Sequence, residues 1–293
     1  MKDSLGGLSV TTKSAPFSSG TSVRLYCGPQ KARRCMDYIS HNQRAYDDRA
    51  LRGARHTKRA LPVHLANPLP IMDPEGWMPP SLRGLRVLCL AAGGGLQGIL
   101  AAAAGAEVTV FDLSPAMLEA DREGALEHRL TLRTVQGTME NLSAFGDAHF
   151  DLVWQPVSAC YIPSVQPMYA EVARVLRPNG LYIVQHKQPA SLQADAHPAA
   201  GGGWLLRHPY VGQTALPPSP PSPHREADTI EYLHSWTDLL GGLGRAGLVI
   251  EAVAEPPQTV EGPWSERCRF LAPYIKIKAR KPAGAQEIRL HPS

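Results

Sequence analysis

No part of this 293-residue chain stays apolar for the ~20 residues that a membrane-spanning helix requires. LAAAAGA, residues 100–106, is a run of small residues and far too short. Membrane insertion is therefore not expected. The N-terminus also lacks the apolar stretch of a secretory signal. Its first residues are rich in Ser, Thr and Gly but hold no Arg before residue 20, so cytoplasmic residence is expected, with an organelle transit peptide as the alternative. C-x-x-C pairs are absent too. Five scattered cysteines (Cys27, Cys35, Cys89, Cys160 and Cys268) suit free thiols in a reducing compartment better than a disulfide framework. His197, His208, His224 and His234 share one region without metal-ligand spacing, and no metal is expected. Acidic residues are scarce in residues 24–59, where three Asp face ten Lys and Arg within a chain of net charge +4. That run reads as a solvated helical face, with RNA or an acidic substrate as the other reading.

What the chain does have is alternation. Residues 1–30 lack periodicity and are expected to be a disordered tail, and 282–293 a second tail. Between 31 and 83, Met36, Ile39, Gln43 and Tyr46 recur at helical spacing, followed by the proline-rich NPLPIMDPEGWMPPSL, expected to be irregular. From 84 to 281, strand and helix patterns alternate: LRVLCLA, LQGILAAAAGA, EVTVFDL, a helix opened by Ser114-Pro115, LTLRTVQG, FDLVWQP, VQPMYAEVARVL, an Arg177–Gly180 turn and GLYIVQHK. Such alternation predicts a parallel sheet with helices on both faces. An insertion at about 189–228, with the Pro-Ser tract LPPSPPSPH, interrupts the rhythm. LVIEAVAE and RFLAPYIKIKAR are then joined by about 14 residues without helical pattern, where a parallel crossover of a dozen or more residues is usually helical, so they predict an antiparallel hairpin. The predicted fold is α/β: an open, doubly wound, mostly parallel seven-stranded sheet ending in an antiparallel hairpin.

The glycine loop after the first strand, Gly93-x-Gly95-x-x-Gly98 with Asp112 downstream, fits two chemistries. It matches a dinucleotide-binding fingerprint, implying an NAD-dependent oxidoreductase, and it matches a loop for S-adenosyl-L-methionine. A dinucleotide-binding sheet continues with parallel strands, whereas a sheet ending in an antiparallel hairpin resembles class I SAM-dependent methyltransferases. Residues 84–186 resemble the small-molecule branch of class I SAM-dependent methyltransferases, similar to the ubiquinone/menaquinone-biosynthesis type. The span from SHNQRAYDDRA to HSWTDLLGGLGRAGL is also similar to a little-characterised bacterial group whose loop reads close to LASGGGQQ. The family pattern apolar-apolar-Asp-apolar-Gly-x-Gly-x-Gly is met by Val87–Gly95, with departures at Cys89 and Ala91.

The resemblance implies S-adenosyl-L-methionine as cofactor, with S-adenosyl-L-homocysteine as product. It assigns Ala91, Gly93 and Gly95 to the cofactor loop, and Asp112 with Leu113 and Met117 to the ribose end. Thr138 and Met139 in QGTMENL fall to adenine; apart from the resemblance, Gln155 after the fourth strand and Tyr46 on the N-terminal helix are also expected to contact the cofactor. Physically, glycines let the backbone approach a ligand, and a carboxylate at a strand end can accept two ribose hydroxyls. Transfer of a sulfonium methyl rests largely on proximity and orientation, and a base is needed only where the acceptor must lose a proton. His186 after the fifth strand and Tyr161 after the fourth are the candidates for that role. The loop Gln155-Pro156-Val157-Ser158 lacks the Asn/Asp-Pro-Pro-aromatic pattern of amino methylation, and Gln155 supplies no metal-binding Asp. Trp154 and Gln155 are expected to line the cofactor and the acceptor's entry. A small-molecule acceptor is expected, with the helix bearing Tyr38 and Tyr46 and the Pro-rich insertion as lids. An RNA methyltransferase and a non-catalytic SAM-binding protein are the alternatives.

Overall fold

The computed structural model describes residues 29–53, 59–210, 215–219, 222–257 and 263–284. The expected N-terminal tail up to residue 28, and the C-terminal one beyond residue 284, lie outside the described residues. Residues 220 and 221 of the Pro-Ser tract do as well.

Seven strands form one sheet: β1 (Arg86–Leu90), β2 (Glu107–Asp112), β3 (Arg133–Gln136), β4 (Phe150–Gln155), β5 (Leu176–Lys187), β6 (Val249–Ala254) and β7 (Tyr274–Arg280). Their spatial order is β3-β2-β1-β4-β5-β7-β6. The first five run parallel, and β7 lies between β5 and β6, antiparallel to both. The chain starts at β1, builds outward to β3, then crosses back to β4. The carboxyl ends of β1 and β4 therefore flank the crevice where an open α/β sheet binds ligands.

Side-chain parity sorts the strands' residues onto two faces. Val87 to Leu90 are fully buried, as a central strand covered on both sides must be. Leu88, Leu90, Val153, Tyr182 and Val184 pack toward α6 (Val165–Val175) and α8 (Trp236–Arg245). Val87, Cys89, Leu152 and Ile183 pack toward α3 (Pro68–Met72) and α4 (Gln97–Ala103). In α6, Met168, Tyr169, Val172 and Val175 form the buried stripe. Each such side chain contributes about 1.5–3 kcal/mol on burial, which is what holds the helix to the sheet.

Three local expectations change. The proline-rich lead-in contains a short helix, α3, and another, α2 (Pro62–Leu65), stands just before it, because each begins with its proline at the first turn, where no N–H is needed. The Arg177–Gly180 turn is instead a bulge within β5: pairing with β4 slips from Phe150–Leu176 to Leu152–Leu181, and Asn179 takes φ 65°. The link between β6 and β7 contains α9 (Pro263–Cys268). The start of α5 (Pro115–Glu127) is as expected, with Ser114 Oγ accepting the Met117 N–H at 3.1 Å.

α1 (Pro29–Leu51) crosses the carboxyl edge of the sheet. Its Asp47 carboxylate accepts from Ser114 Oγ–H and from the Ala116 N–H, so it caps α5 from outside. Buried Asn42 joins the same helix to the insertion after β5, donating to the Ile230 carbonyl at 3.0 Å and accepting the Ile230 N–H at 2.8 Å.

Candidate active site

A cavity of about 530 Å³ opens at the carboxyl edge, between α1, the loop after β1, the ends of β2 and β5, and the insertion. Its two ends differ in chemistry.

The first end is the glycine loop. Ala91 adopts φ 47°, and its N–H reaches the Phe111 carbonyl at 2.7 Å. Gly93 is required by space: a Cβ there would stand 2.8 Å from Met117 Cβ and 3.0 Å from Asp112 Cγ. Its N–H donates to Asp112 Oδ2 at 2.9 Å, while the Ser114 N–H donates to Oδ1 at 2.9 Å. Asp112 thus braces the loop and the entry to α5, and its carboxyl also faces the cavity. Burial raises its pKa, and the backbone N–H groups of Ser114, Gly93 and Leu113 oppose that rise. Leu113, Met117, Thr138 and Met139 line this end. Glu140 joins them and accepts from the Tyr38 hydroxyl.

The second end is a polar network around Tyr161. The Tyr161 hydroxyl donates to Glu226 Oε2 at 2.7 Å. Lys187 Nζ donates to Glu226 Oε2 at 3.1 Å and to Glu231 Oε1 at 2.9 Å. Arg225 Nε donates to the other Glu231 oxygen at 3.0 Å. The Tyr46 and Tyr161 rings meet edge-on, with centroids 5.4 Å apart. Burial works against the Lys187 ammonium, but the carboxylates of Glu226 and Glu231 outweigh it and hold the amine protonated. Burial also raises both tyrosines, which stay neutral phenols. Lys187 and Glu231 side chains are 2% and 0% exposed, so this pair carries a large desolvation cost. A network of that cost at a cavity wall is a fixed set of donors and acceptors facing whatever enters.

Of the residues expected at the site, Tyr46, Ala91, Gly93, Asp112, Leu113 and Met117 line the cavity, as do Thr138, Met139 and Tyr161. Three do not. His186 lies within β5 and shares parity with Tyr182 and Val184, so its ring is buried beneath α6, where Nε2 meets the Tyr169 hydroxyl at 2.9 Å. Burial, with the nearby His234, lowers its pKa to about 3. A neutral imidazole on the covered face of the sheet cannot serve as the base. Gln155 also points under α6, donating to Ser158 Oγ at 2.8 Å and accepting from the Tyr182 hydroxyl, so it holds the loop after β4 from behind. Trp154 packs on the opposite face with the α3–α4 cluster. Gly95 sits behind the cavity wall with φ 80°, and a Cβ there would meet the Ala120 carbonyl at 3.0 Å, so backbone conformation and packing explain the glycine.

Sequence reading missed Asn42, Asp121, Lys187 and Glu226. Two left a signal: Asp121 interrupts the apolar stripe Met117, Leu118, Gly124, Ala125, and Lys187 ends an otherwise buried strand. Glu226 sits in irregular chain without periodicity, and only the fold brings it to Lys187. Among the described residues, no three His, Cys, Asp or Glu gather as a metal-binding group, and no helix is long and apolar enough to cross a membrane.

Comparison with known proteins agrees with this geometry. Residues 88–184 match the family described as a methyltransferase domain. An uncharacterised methyltransferase of Bacillus subtilis, YbaJ, is 34% identical over 230 residues, covering 74% of this chain and 90% of that protein. A ubiquinone biosynthesis O-methyltransferase of Alkalilimnicola ehrlichii is 30% identical over 153 residues, 52% of this chain and 62% of that protein. Among solved structures, an S-adenosylmethionine-dependent methyltransferase of Mesorhizobium loti superposes with a TM-score of 0.55 at 21% identity, covering 74% of this chain and 99% of that one. With its seven-stranded sheet, its glycine loop above a strand-end carboxylate and a relative matched over nine-tenths of its length, this chain belongs to the class I S-adenosyl-L-methionine-dependent methyltransferases.

Proposed function

We propose that this methyltransferase acts on a small molecule held at the Tyr46–Tyr161–Lys187–Glu226 end of the cavity, with the cofactor at the glycine-loop end. The observation that carries this reading is the shared cavity itself. Its volume of about 530 Å³ falls within the ~300–1,000 Å³ of small-molecule sites, and its two ends present different chemistry. S-adenosyl-L-methionine, when bound, supplies an electrophilic methyl group on a sulfonium. Asp112 takes the ribose hydroxyls, the backbone of Ala91 and Gly93 borders the amino-acid portion, and Leu113, Thr138 and Met139 hold adenine. α1, fastened through Asn42 and Asp47, keeps water from the reacting atoms, with Tyr46 facing inward. Tyr161, neutral and fixed by Glu226, orients the acceptor, and the Glu226 carboxylate receives its proton where one is lost. A relative named for O-methylation in ubiquinone biosynthesis supports an acceptor of this size class.

The test is incubation of the protein and methyl-labelled SAM with a cell extract separated into small molecules, RNA and protein. Label in the small-molecule fraction, reduced in Tyr161→Phe and Glu226→Gln, is the expected result. Label confined to RNA or protein overturns the reading.

A further inference from the structure

The buried stripe of α5 contains one ionisable group, Asp121, which is 0% exposed. A carboxyl group in such a place is costly unless something there uses it. Its Oδ2 accepts the Gly94 N–H, the centre of the glycine loop, at 2.9 Å. Its Oδ1 meets no partner in hydrogen-bond geometry and lies 3.1 Å from the position a Cβ on Gly98 would take. The Gly95 amide contributes a further favourable dipole.

Among the described residues, no cation closes on this carboxyl. Arg122, its neighbour on α5, turns outward to Glu119 and Thr134. Arg59 pairs with Glu123 on the outer side of the loop. β2 contributes Asp112, a like charge, and β1 contributes Cys89, a thiol that burial and Asp121 together keep protonated. α4 brings only Gly98 and apolar neighbours. The loop amides are thus the chief support for a negative charge here, and an apolar residue would fill the stripe at lower cost.

Resting on the cofactor placement above, we propose that Asp121 is a positioning residue for the cofactor loop: in its ionised form it draws the Gly94 N–H inward and sets the loop in its cofactor-receiving conformation. Cofactor binding and ionisation of Asp121 are then linked. Burial raises the Asp121 pKa to about 7, with the Asp112 charge adding to the rise and the Gly94 and Gly95 amides and Arg122 opposing it, so the linkage falls in an accessible range. Protonation removes the charge that draws the Gly94 N–H inward. Asp121 touches neither cofactor nor acceptor and acts only through the loop.

The probe is S-adenosyl-L-homocysteine, titrated calorimetrically into the full chain from about pH 5.5 to 8.5, against Asp121→Asn. Wild-type affinity should fall as pH drops through the Asp121 pKa, approaching about tenfold per pH unit for a single linked proton. Asp121→Asn should bind more weakly at the alkaline end, and its affinity should be independent of pH over this range. Should that variant not fold, Asp112→Asn serves as the control: its affinity is lower throughout, and a slope of wild-type size persists, moved to lower pH because the Asp112 charge no longer raises the Asp121 pKa. Binding by the wild type with a flat profile overturns the inference alone, as does an Asp121→Asn profile with the wild-type slope or an Asp112→Asn profile without it. No binding at any pH overturns the cofactor placement and this inference with it.

Discussion

Asp112→Ala perturbs stability and affinity at once, and the structure gives a size for each. The carboxylate accepts two backbone N–H groups, from Gly93 and Ser114, at 2.9 Å each. Hydrogen bonds to a charged group contribute about 1.5–3 kcal/mol apiece, but the sum overstates the loss. The side chain sits at the cavity wall, where water can replace it for the freed amides, and its burial already penalises the charged form. A net loss of about 1–3 kcal/mol in unliganded stability is the expected result, read as a lower urea midpoint at an unchanged slope. The cofactor also loses its hydroxyl acceptor. One charge-assisted bond lost there corresponds to about ten- to a hundredfold weaker S-adenosyl-L-homocysteine binding at ~1.4 kcal/mol per decade. Asp112→Asn keeps an acceptor of the same shape and should lie between the two in both measurements. If Asp112→Ala loses stability while calorimetry finds wild-type affinity, the carboxylate only braces the loop, and its assignment to the ribose is refuted.

Three further outcomes are expected. His186→Gln should lower stability by about 1–3 kcal/mol through the lost Tyr169 partner, while calorimetric affinity and methyl incorporation into the small-molecule fraction stay at wild-type levels; native stability with lost transfer would make His186 catalytic. Gly95→Ala should cost about 1–3 kcal/mol, because its φ of 80° strains an L-residue and its Cβ meets the Ala120 carbonyl, and an unchanged urea midpoint contradicts that. Unliganded stability should fall as pH rises from about 5 to 7. Asp121 carries a pKa of about 7 when folded and 3.8 when unfolded, so the folded state holds the extra proton in that window. The slope from this group approaches about 1.4 kcal/mol per pH unit and is lost in Asp121→Asn; a slope that survives the substitution belongs to other groups.

The sheet was legible because its signals are local. Apolar runs ending in glycine and the Ser114-Pro115 start each constrain a few neighbouring positions, and together they predict the fold. The cofactor end was legible for the same reason, since Ala91, Gly93 and Asp112 are joined by a strand–loop–helix–strand unit. The errors at His186 and Gln155 have one cause. Both occur at the carboxyl ends of strands, where residues gather near the site, yet parity decides whether a side chain faces the cavity or the covering helix. β5 shows it directly: Gln185 and Lys187 line the cavity while His186 between them is sealed under α6. Parity is readable from sequence only once one residue of the strand has a known face, and Tyr182 and Val184, both apolar enough for either side, did not provide it.

The acceptor end is less legible for a deeper reason. The family match runs from 88 to 184 and contains Asp112, Thr138, Met139 and Tyr161. Tyr46, Lys187 and Glu226 lie outside it, on α1, at the last residue of β5 and in the insertion. They meet through contacts of long sequence separation: Asn42 to Ile230, Lys187 to Glu231, Tyr161 to Glu226. Such a network has no period and no motif, so each member reads as a solvated polar residue until the sheet is assembled. It also has no cause in stability, because a buried Lys–Glu–Arg cluster roughly breaks even against apolar packing at best. Groups retained at that cost, beside a cavity proposed to take the cofactor at its other end, are best explained by what they contact when the acceptor is present. On the proposed placement of cofactor and acceptor, exchange of α1, the end of β5 and the insertion between related chains should move acceptor specificity while leaving cofactor affinity in place.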